Sequence, residues 1–530
     1  MNRPAILKKK AAKDVASVLK IIFLFYLFLI ARLKQRYSIR EIKRDLWNIR
    51  ENYSSNAGYS EDLLPKTQSQ RTWKTFNYFT LWMGSVHNVP NYVMVGGFFI
   101  LGLSTFSIML AIILSAFFIA AVMVLNGAAG SKYGVPFAMI LRASYGVRGA
   151  LFPGLLRGGI AAIMWFGLQC YAGSLACLIL IGKIWPGFLT LGGDFTLLGL
   201  SLPGLITFLL FWLVNVGIGF GGGKVLNKFT AILNPCIYIV FGGMAIWAIS
   251  LVGLGPIFDY IPSGIQKAEN SGFLFLVVIN AVVAVWAAPV VSASDFTQNA
   301  HSFREQALGQ TLGLVVAYIL FAVAGVCIIA GASIHYGADT WNVLDIVQRW
   351  DSLFASFFAV LVILMTTIST NATGNIIPAG YQIAAIAPTK LTYKNGVLIA
   401  SIISLLICPW KLMENQDSIY LFLDIIGGML GPVIGVMMAH YFVVMRGKIN
   451  LDELYTEPSD YKYYDNGFNL TAFSVTLVAV ILSLGGKFIP FMEPLSRVSW
   501  FVGVIVAFAA YALLKKRTTA EKTGEQKTIG

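Results

Sequence analysis

Charge is the scarcest thing in this chain. Asp, Glu, Lys and Arg together make up 12% of its 530 residues, against roughly 25% in ordinary soluble domains. Hydrophobic residues reach 57%, and mean hydropathy is +0.72. So few charges cannot clothe a water-facing surface of this size, so lipid must be part of the solvent. Cysteine is scarce too. Cys170, Cys177, Cys236, Cys327 and Cys408 lie singly in apolar runs with no CxxC pair, which excludes a disulfide scaffold and reads as small buried hydrophobes. His87, His301, His335 and His440 are too scattered for a metal centre. No HExxH, GxSxG, P-loop or dinucleotide fingerprint occurs in its proper context, so no enzyme class or cofactor is indicated. The net charge of +14 does not imply nucleic acid, because the basic residues sit in short loops and tails and form no groove-sized patch.

What is present is a series of apolar runs. A membrane-crossing helix needs about 20 apolar residues. Such runs fall near 76–100, 104–126, 153–181, 198–219, 229–253, 272–293, 309–333, 354–378, 395–410, 418–444, 471–485 and 496–514. The expectation is an all-α membrane protein of twelve spans. Placing the N-terminus in the cytoplasm leaves only Lys183, Lys267, Arg349, Lys411, Lys487 and Arg497 of the 39 basic residues outside. By the positive-inside rule both termini are then cytoplasmic, in the plasma membrane. Residues 1–74 read as a basic cytoplasmic extension, whose apolar run from Ile21 to Ala31 is too short to cross and suits the lipid interface. Residues 515–530 read as a polar tail without stable structure.

Two spans are interrupted. Trp82-Met-Gly-Ser-Val-His-Asn-Val-Pro90 places Gly84, His87, Asn88 and Pro90 inside the first. Trp286-Ala-Ala-Pro-Val-Val-Ser-Ala-Ser-Asp295 places Pro289, Ser292, Ser294 and Asp295 inside the sixth. Irregular backbone at membrane depth survives only where it is buried in protein or lines a cavity. Breaks in corresponding spans of two halves point to a transporter built from inverted repeats, with its site at the midplane.

Polar side chains inside the other spans mark faces turned from lipid. Trp165 and Gln169 stand one helical turn apart on the third span, an aromatic plane beside an amide. The eighth span carries Thr366, Thr367, Ser369, Thr370, Asn371, Thr373 and Asn375. Thr366, Ser369 and Thr370 share a face whose oxygens suit a small hard cation, whereas Asn375 points the other way. Back-bonding of these hydroxyls to their own helix is the competing account. The tenth span has Gly427, Gly431 and Gly435 at four-residue spacing, a close-packing ladder. Asp424 on that span is either a proton or cation group or a helix-end residue at the interface.

With Trp286, Asn88, Gln169 and Asn375 in view, the chain resembles the nucleobase–cation symporter-1 family, and within it the bacterial allantoin and hydantoin permeases. The likeness runs from about Ser60 to Leu514. It is carried by Glu61-Asp-Leu-Leu-Pro65, Arg71-Thr-Trp-Lys74, Trp82-Met-Gly, His87-Asn, Asn126-Gly, Lys132-Tyr-Gly-Val-Pro-Phe137, Arg142-Ala-Ser-Tyr-Gly146, Ala162-Ile-Met-Trp-Phe-Gly-Leu-Gln169, Pro409-Trp-Lys-Leu-Met413 and Gly427-Gly-Met-Leu-Gly-Pro432. The resemblance implies a five-plus-five inverted repeat (75–255 and 256–445) with two extra C-terminal helices (446–514). It implies that Trp165 and Trp286 sandwich a planar heterocycle, with Gln169, Asn375 and Asn88 bonding its polar groups and the Val285 backbone lining the site. It places a cation on the backbone carbonyls of Gly84 and His87 with Thr366, Ser369 and Thr370.

The reading is a cation-coupled symporter importing a planar heterocycle, allantoin first and uracil, cytosine or hydantoin as alternatives. The coupling ion is sodium or a proton, and Asp295, Asp424 or His87 would carry the proton. The partners are this small molecule, the cation and the bilayer. A proton-coupled purine or pyrimidine permease is the nearest rival. A membrane receptor that binds without transport is another, disfavoured by the lack of any sizeable soluble output domain.

Overall fold

The structure is a computed structural model, and it describes residues 61–340, 342–413, 416–455 and 464–527. The basic extension before residue 61, with its Ile21–Ala31 run, lies outside the described residues. Apart from a two-residue antiparallel strand pair, Thr196–Leu197 with Leu200–Ser201, and an isolated bridge, the regular structure described is helical.

Eight helices are long and apolar enough to cross a membrane: Thr105–Asn126, Leu151–Ile184, Leu202–Gly221, Leu233–Val252, Phe303–Tyr336, Leu353–Ile386, Leu421–Val444 and Leu470–Lys487. The apolar helices Val89–Ile100, Ser271–Val285 and Tyr393–Leu406 are shorter, and Pro490–Ser496 with Ser499–Lys515 forms a pair bent by 86°. Together they are consistent with the twelve spans read from hydropathy. The fourth and fifth spans lie within one helical run, Leu202–Val252, and the windows Leu202–Gly221 and Leu233–Val252 are two separate crossing units in it. The last helix continues through the polar tail to Lys527, where no structure was expected. The tail's Lys, Glu and Ala residues are good helix formers, and nothing before Gly524 interrupts them.

Both expected breaks are present, and each has a local cause. The first span stops at Met83 and restarts at Val89. Asn88 caps the restart, its side-chain oxygen accepting from Asn91 N at 3.2 Å, and Pro90 sits in the first turn, where a missing N–H costs nothing. The sixth span is cut into Ser271–Val285, Ala287–Val291 and Ala293–Thr297. Trp286 (φ −93°, ψ 1°) and Ser292 (φ −98°, ψ 27°) occupy the sparsely allowed bridge region at the cuts. Three π-turns, Leu155–Ala161, Ala372–Ile376 and Ala439–Val444, interrupt the third, eighth and tenth spans. No sequence pattern had marked them.

The first, second, sixth and seventh spans pack into one group. Glycine makes this possible: a Cβ on Gly309 of the seventh span would lie 2.4 Å from Thr75 O, and one on Gly313 3.0 Å from Phe79 Cα. The two broken spans are joined at three heights. Trp73 bridges Ala300, the Tyr78 hydroxyl donates to Phe296 O at 3.2 Å, and Trp82 meets Trp286 edge-on at 5.3 Å. The third, eighth and ninth spans pack with the Leu202–Gly221 half of the long helical run as a second group, while the Leu233–Val252 half lies against the first and seventh spans. The glycine ladder of the tenth span seats the last helix, since a Cβ on Gly431 would lie 2.9 Å from Trp500 O and one on Gly435 2.5 Å from Val504 O.

Candidate functional site

Between the two groups lies a cavity that is partly open to solvent. The first span contributes Trp82, Ser85, Asn88 and Asn91, and the sixth contributes Val285, Trp286 and Pro289. Trp165 and Gln169 come from the third, and Thr370, Thr373, Gly374 and Asn375 from the eighth. All six residues expected to hold substrate line this one space, on four different spans.

Their surroundings limit what each can do. Trp165 stands edge-on to Phe422 at 5.0 Å, and its indole nitrogen has no partner. Gln169 Oε1 is likewise buried without a partner, one turn along the same helix. The Trp286 indole N–H is held by the Tyr318 hydroxyl, which fixes the ring at the helix break. Four residues after Val285 stands Pro289, which has no N–H, so the Val285 carbonyl lacks its ordinary helical donor at the cavity wall. Asn88 is partly committed to the break itself, because its amide nitrogen donates to Ser85 O at 3.0 Å while its oxygen caps the next helix. Asn375 donates from Nδ2 to Asn371 Oδ1 at 2.8 Å.

The residues expected around a cation divide. Thr370 donates to Ser85 O at 3.1 Å, across to the first-span break. Ser369 Oγ is buried with no partner and lies 3.6 Å from where a Cβ on Gly84 would stand. Thr366, by contrast, donates back to Ile363 O at 2.9 Å, as its neighbour Thr367 does at 2.7 Å. So back-bonding accounts for the first two hydroxyls and not for the next two. The His87 side chain turns from the cavity: its Nδ1 pairs with the Tyr92 hydroxyl at 2.9 Å, among the rings of Tyr238, Phe241 and Phe321.

Neither candidate carboxylate reaches the cavity. Asp295 Oδ1 accepts from Phe137 N at 2.9 Å and so caps a neighbouring helix. Asp424 pairs with Lys487 at 2.6 Å near the protein surface. Sequence reasoning passed over Trp82, Ser85, Asn91, Pro289 and Thr373 as lining residues. Asn91 stands one turn after Asn88 and Thr373 lies within the polar run, so those two carried a signal. It counted Arg157 only among the cytoplasmic basic residues, at the inner end of the third span. The structure corrects this: Arg157 is wholly buried in the third-span π-turn, donating to Ser292 Oγ at 3.0 Å and Gly374 O at 2.7 Å. Polar groups from two other spans make its burial tolerable.

Comparison with known proteins agrees with this geometry. Residues 65–503 match the family model described as a permease for cytosine/purines, uracil, thiamine and allantoin. The chain is 98% identical over 473 residues to the "Putative allantoin permease" of Escherichia coli (strain K12), covering 89% of this chain and 98% of that protein. It is 39% identical to the allantoin permease of Bacillus subtilis (strain 168), over 87% of this chain and 94% of the relative. Among solved structures, the fold is shared with Mhp1, a nucleobase-cation-symport-1 family transporter in a closed conformation with bromovinylhydantoin bound. That match has a TM-score of 0.69 and 24% identity, covering 87% of this chain and 96% of the other. The fold is thus that of the inverted-repeat transporters, and the family is one of permeases, not enzymes. The chain belongs to the family of permeases for cytosine/purines, uracil, thiamine and allantoin.

Proposed function

We propose that the chain is a symporter that carries allantoin into the cytoplasm, driven by sodium, through alternating access to the central cavity. The observation that carries this reading is the cavity itself. Two indoles from spans in different groups, Trp165 and Trp286, stand with the amides of Gln169 and Asn375 around one space beside an unwound backbone. Indole faces suit any flat ring, while amides disfavour analogues lacking the matching group. Allantoin is named ahead of uracil, cytosine and hydantoins because relatives at 98% and 39% identity carry that name.

Sodium is favoured over a proton by the donor set. Ser369, Thr370 and the carbonyls near Gly84 and His87 are oxygen ligands of the kind a hard cation takes, whereas Asp295, Asp424 and the His87 ring lie off the cavity. In this reading 75–255 and 256–445 are the two repeats, 446–514 the added helices, and both termini face the cytoplasm of the plasma membrane. The test is uptake of radiolabelled allantoin into proteoliposomes under separately imposed sodium and proton gradients, with uracil, cytosine and 5-substituted hydantoins as competitors. Accumulation under the sodium gradient alone, weakened in Trp165→Ala, is the expected result. Accumulation under the proton gradient alone would overturn the sodium assignment. Uptake of another ring in place of allantoin would overturn the substrate.

A further inference from the structure

A chain of three buried amides leads away from the cavity. Asn375 Nδ2 donates to Asn371 Oδ1 at 2.8 Å, and Asn371 Nδ2 donates to Asn215 Oδ1 at 3.1 Å. Asn215 Nδ2 donates in turn to Phe211 O at 2.8 Å. Asn371 Nδ2 also lies 3.3 Å from Phe166 O. Asn371 and Asn215 do not line the cavity, and both are buried, on the eighth and fourth spans.

The direction of this chain is set by its far end. An amide side chain has one face that donates and one that accepts, and the two have nearly the same shape. A backbone carbonyl can only accept. Phe211 O therefore requires the Asn215 amino group, which turns Asn215 Oδ1 toward Asn371. Phe166 O independently requires the amino group of Asn371. Asn371 is left offering its oxygen to Asn375, so the Asn375 amino group must face it. Reversing any member sets amino against amino, or oxygen against oxygen, in a buried region where an unmade hydrogen bond is costly.

We propose that Asn371 and Asn215 are positioning residues that fix the Asn375 amide, so that its carbonyl oxygen is presented to the substrate. The site then selects heterocycles that offer an N–H at that place. This rests on the reading of Asn375 as a substrate contact. The buried, unpartnered oxygen of Gln169 on the wall of the same cavity is a second acceptor, so the preferred ring is one carrying more than one N–H, as cyclic ureides do.

The test uses purified full-length protein and quenching of the cavity tryptophans by hydantoin, 1-methylhydantoin and 3-methylhydantoin. The parent is expected to bind one methylated ring at least tenfold more weakly than hydantoin. Asn371→Val removes the anchor and frees Asn375 to turn, so the discrimination should fall to threefold or less while hydantoin still binds. If Asn371→Val does not fold, Asn371→Ser, whose hydroxyl can donate or accept, is expected to show the same loss. Unchanged discrimination in the folded Val or Ser variant would overturn the proposal, as would equal binding of all three rings by the parent. A merely structural role for Asn371 would weaken all three rings alike. Failure of allantoin uptake by a parent that still discriminates would fault the substrate reading and leave the relay standing.

Discussion

Ser292→Ala is the sharpest perturbation the structure offers. Arg157 belongs to the third span, yet its Nε donates 3.0 Å across to Ser292 Oγ on the broken sixth span. Its other described bond, to Gly374 O at 2.7 Å, stays within its own packed group. Removing the Ser292 hydroxyl cuts the link between groups and leaves the guanidinium anchored. A hydrogen bond to a charged group is worth about 1.5–3 kcal/mol net. At about 1.4 kcal/mol per factor of ten, the arrangement seen here loses about 10- to 150-fold of its population relative to one in which the sixth span has moved off. Hydrogen–deuterium exchange read by mass spectrometry over Ala287–Thr297 should accelerate within that range. Ser294→Ala is the control, because Ser294 Oγ is buried two residues away with no partner. Acceleration in both variants alike, or in neither, would refute the assignment of Arg157 as a tie between the groups.

Other expectations follow from the same geometry. Trp165→Ala should raise the KM for allantoin uptake at least three- to tenfold, since an aromatic pair is worth about 0.5–1.5 kcal/mol beyond its buried area. Ser369→Ala and Thr370→Ala should each raise the sodium concentration for half-maximal uptake severalfold, while Thr366→Val should not, because its hydroxyl turns back to Ile363 O on its own helix and Thr370 reaches the first-span break; equal effects in all three would contradict the division seen here. His87→Phe should leave the pH profile of uptake in place, because the imidazole is enclosed among aromatic rings. Gly435→Ala should lower the thermal midpoint, its new Cβ meeting Val504 O at 2.5 Å, with a cost of about 1–3 kcal/mol as for other overpacked sites.

Legibility of this molecule in its sequence followed the range of the forces involved. The spans could be read because lipid imposes a hydropathy threshold on every residue in a crossing. The breaks could be read because Gly84, Pro90 and Pro289 act on their own backbone. Five of the six cavity residues stood out in the bare pattern of two breaks, a Trp–Gln pair and a polar run; Val285 and the roles of all six came through resemblance. What the sequence hid depended on partners far along the chain. Arg157 gives no local hint that Ser292 and Gly374 will meet it. Thr366 and Ser369 are alike on paper, and only the approach of Gly84 separates a back-bonded hydroxyl from an open one. The π-turns were invisible because spans this apolar carry little helical periodicity in which the phase shift of one extra residue could show.

The three joints between the broken spans have a mechanical consequence. Trp73 with Ala300, Tyr78 with Phe296 and Trp82 with Trp286 are spaced along the length of the pair. Two rods pinned at three points cannot pivot against each other, so the pair moves as one body with respect to the frame around it. Under the proposed reading one rod carries part of the ion's seat and the other part of the ring's. These two half-seats then shift together against Trp165, Gln169, Ser369 and Thr370 in the other group, and slippage between them requires a pin to fail.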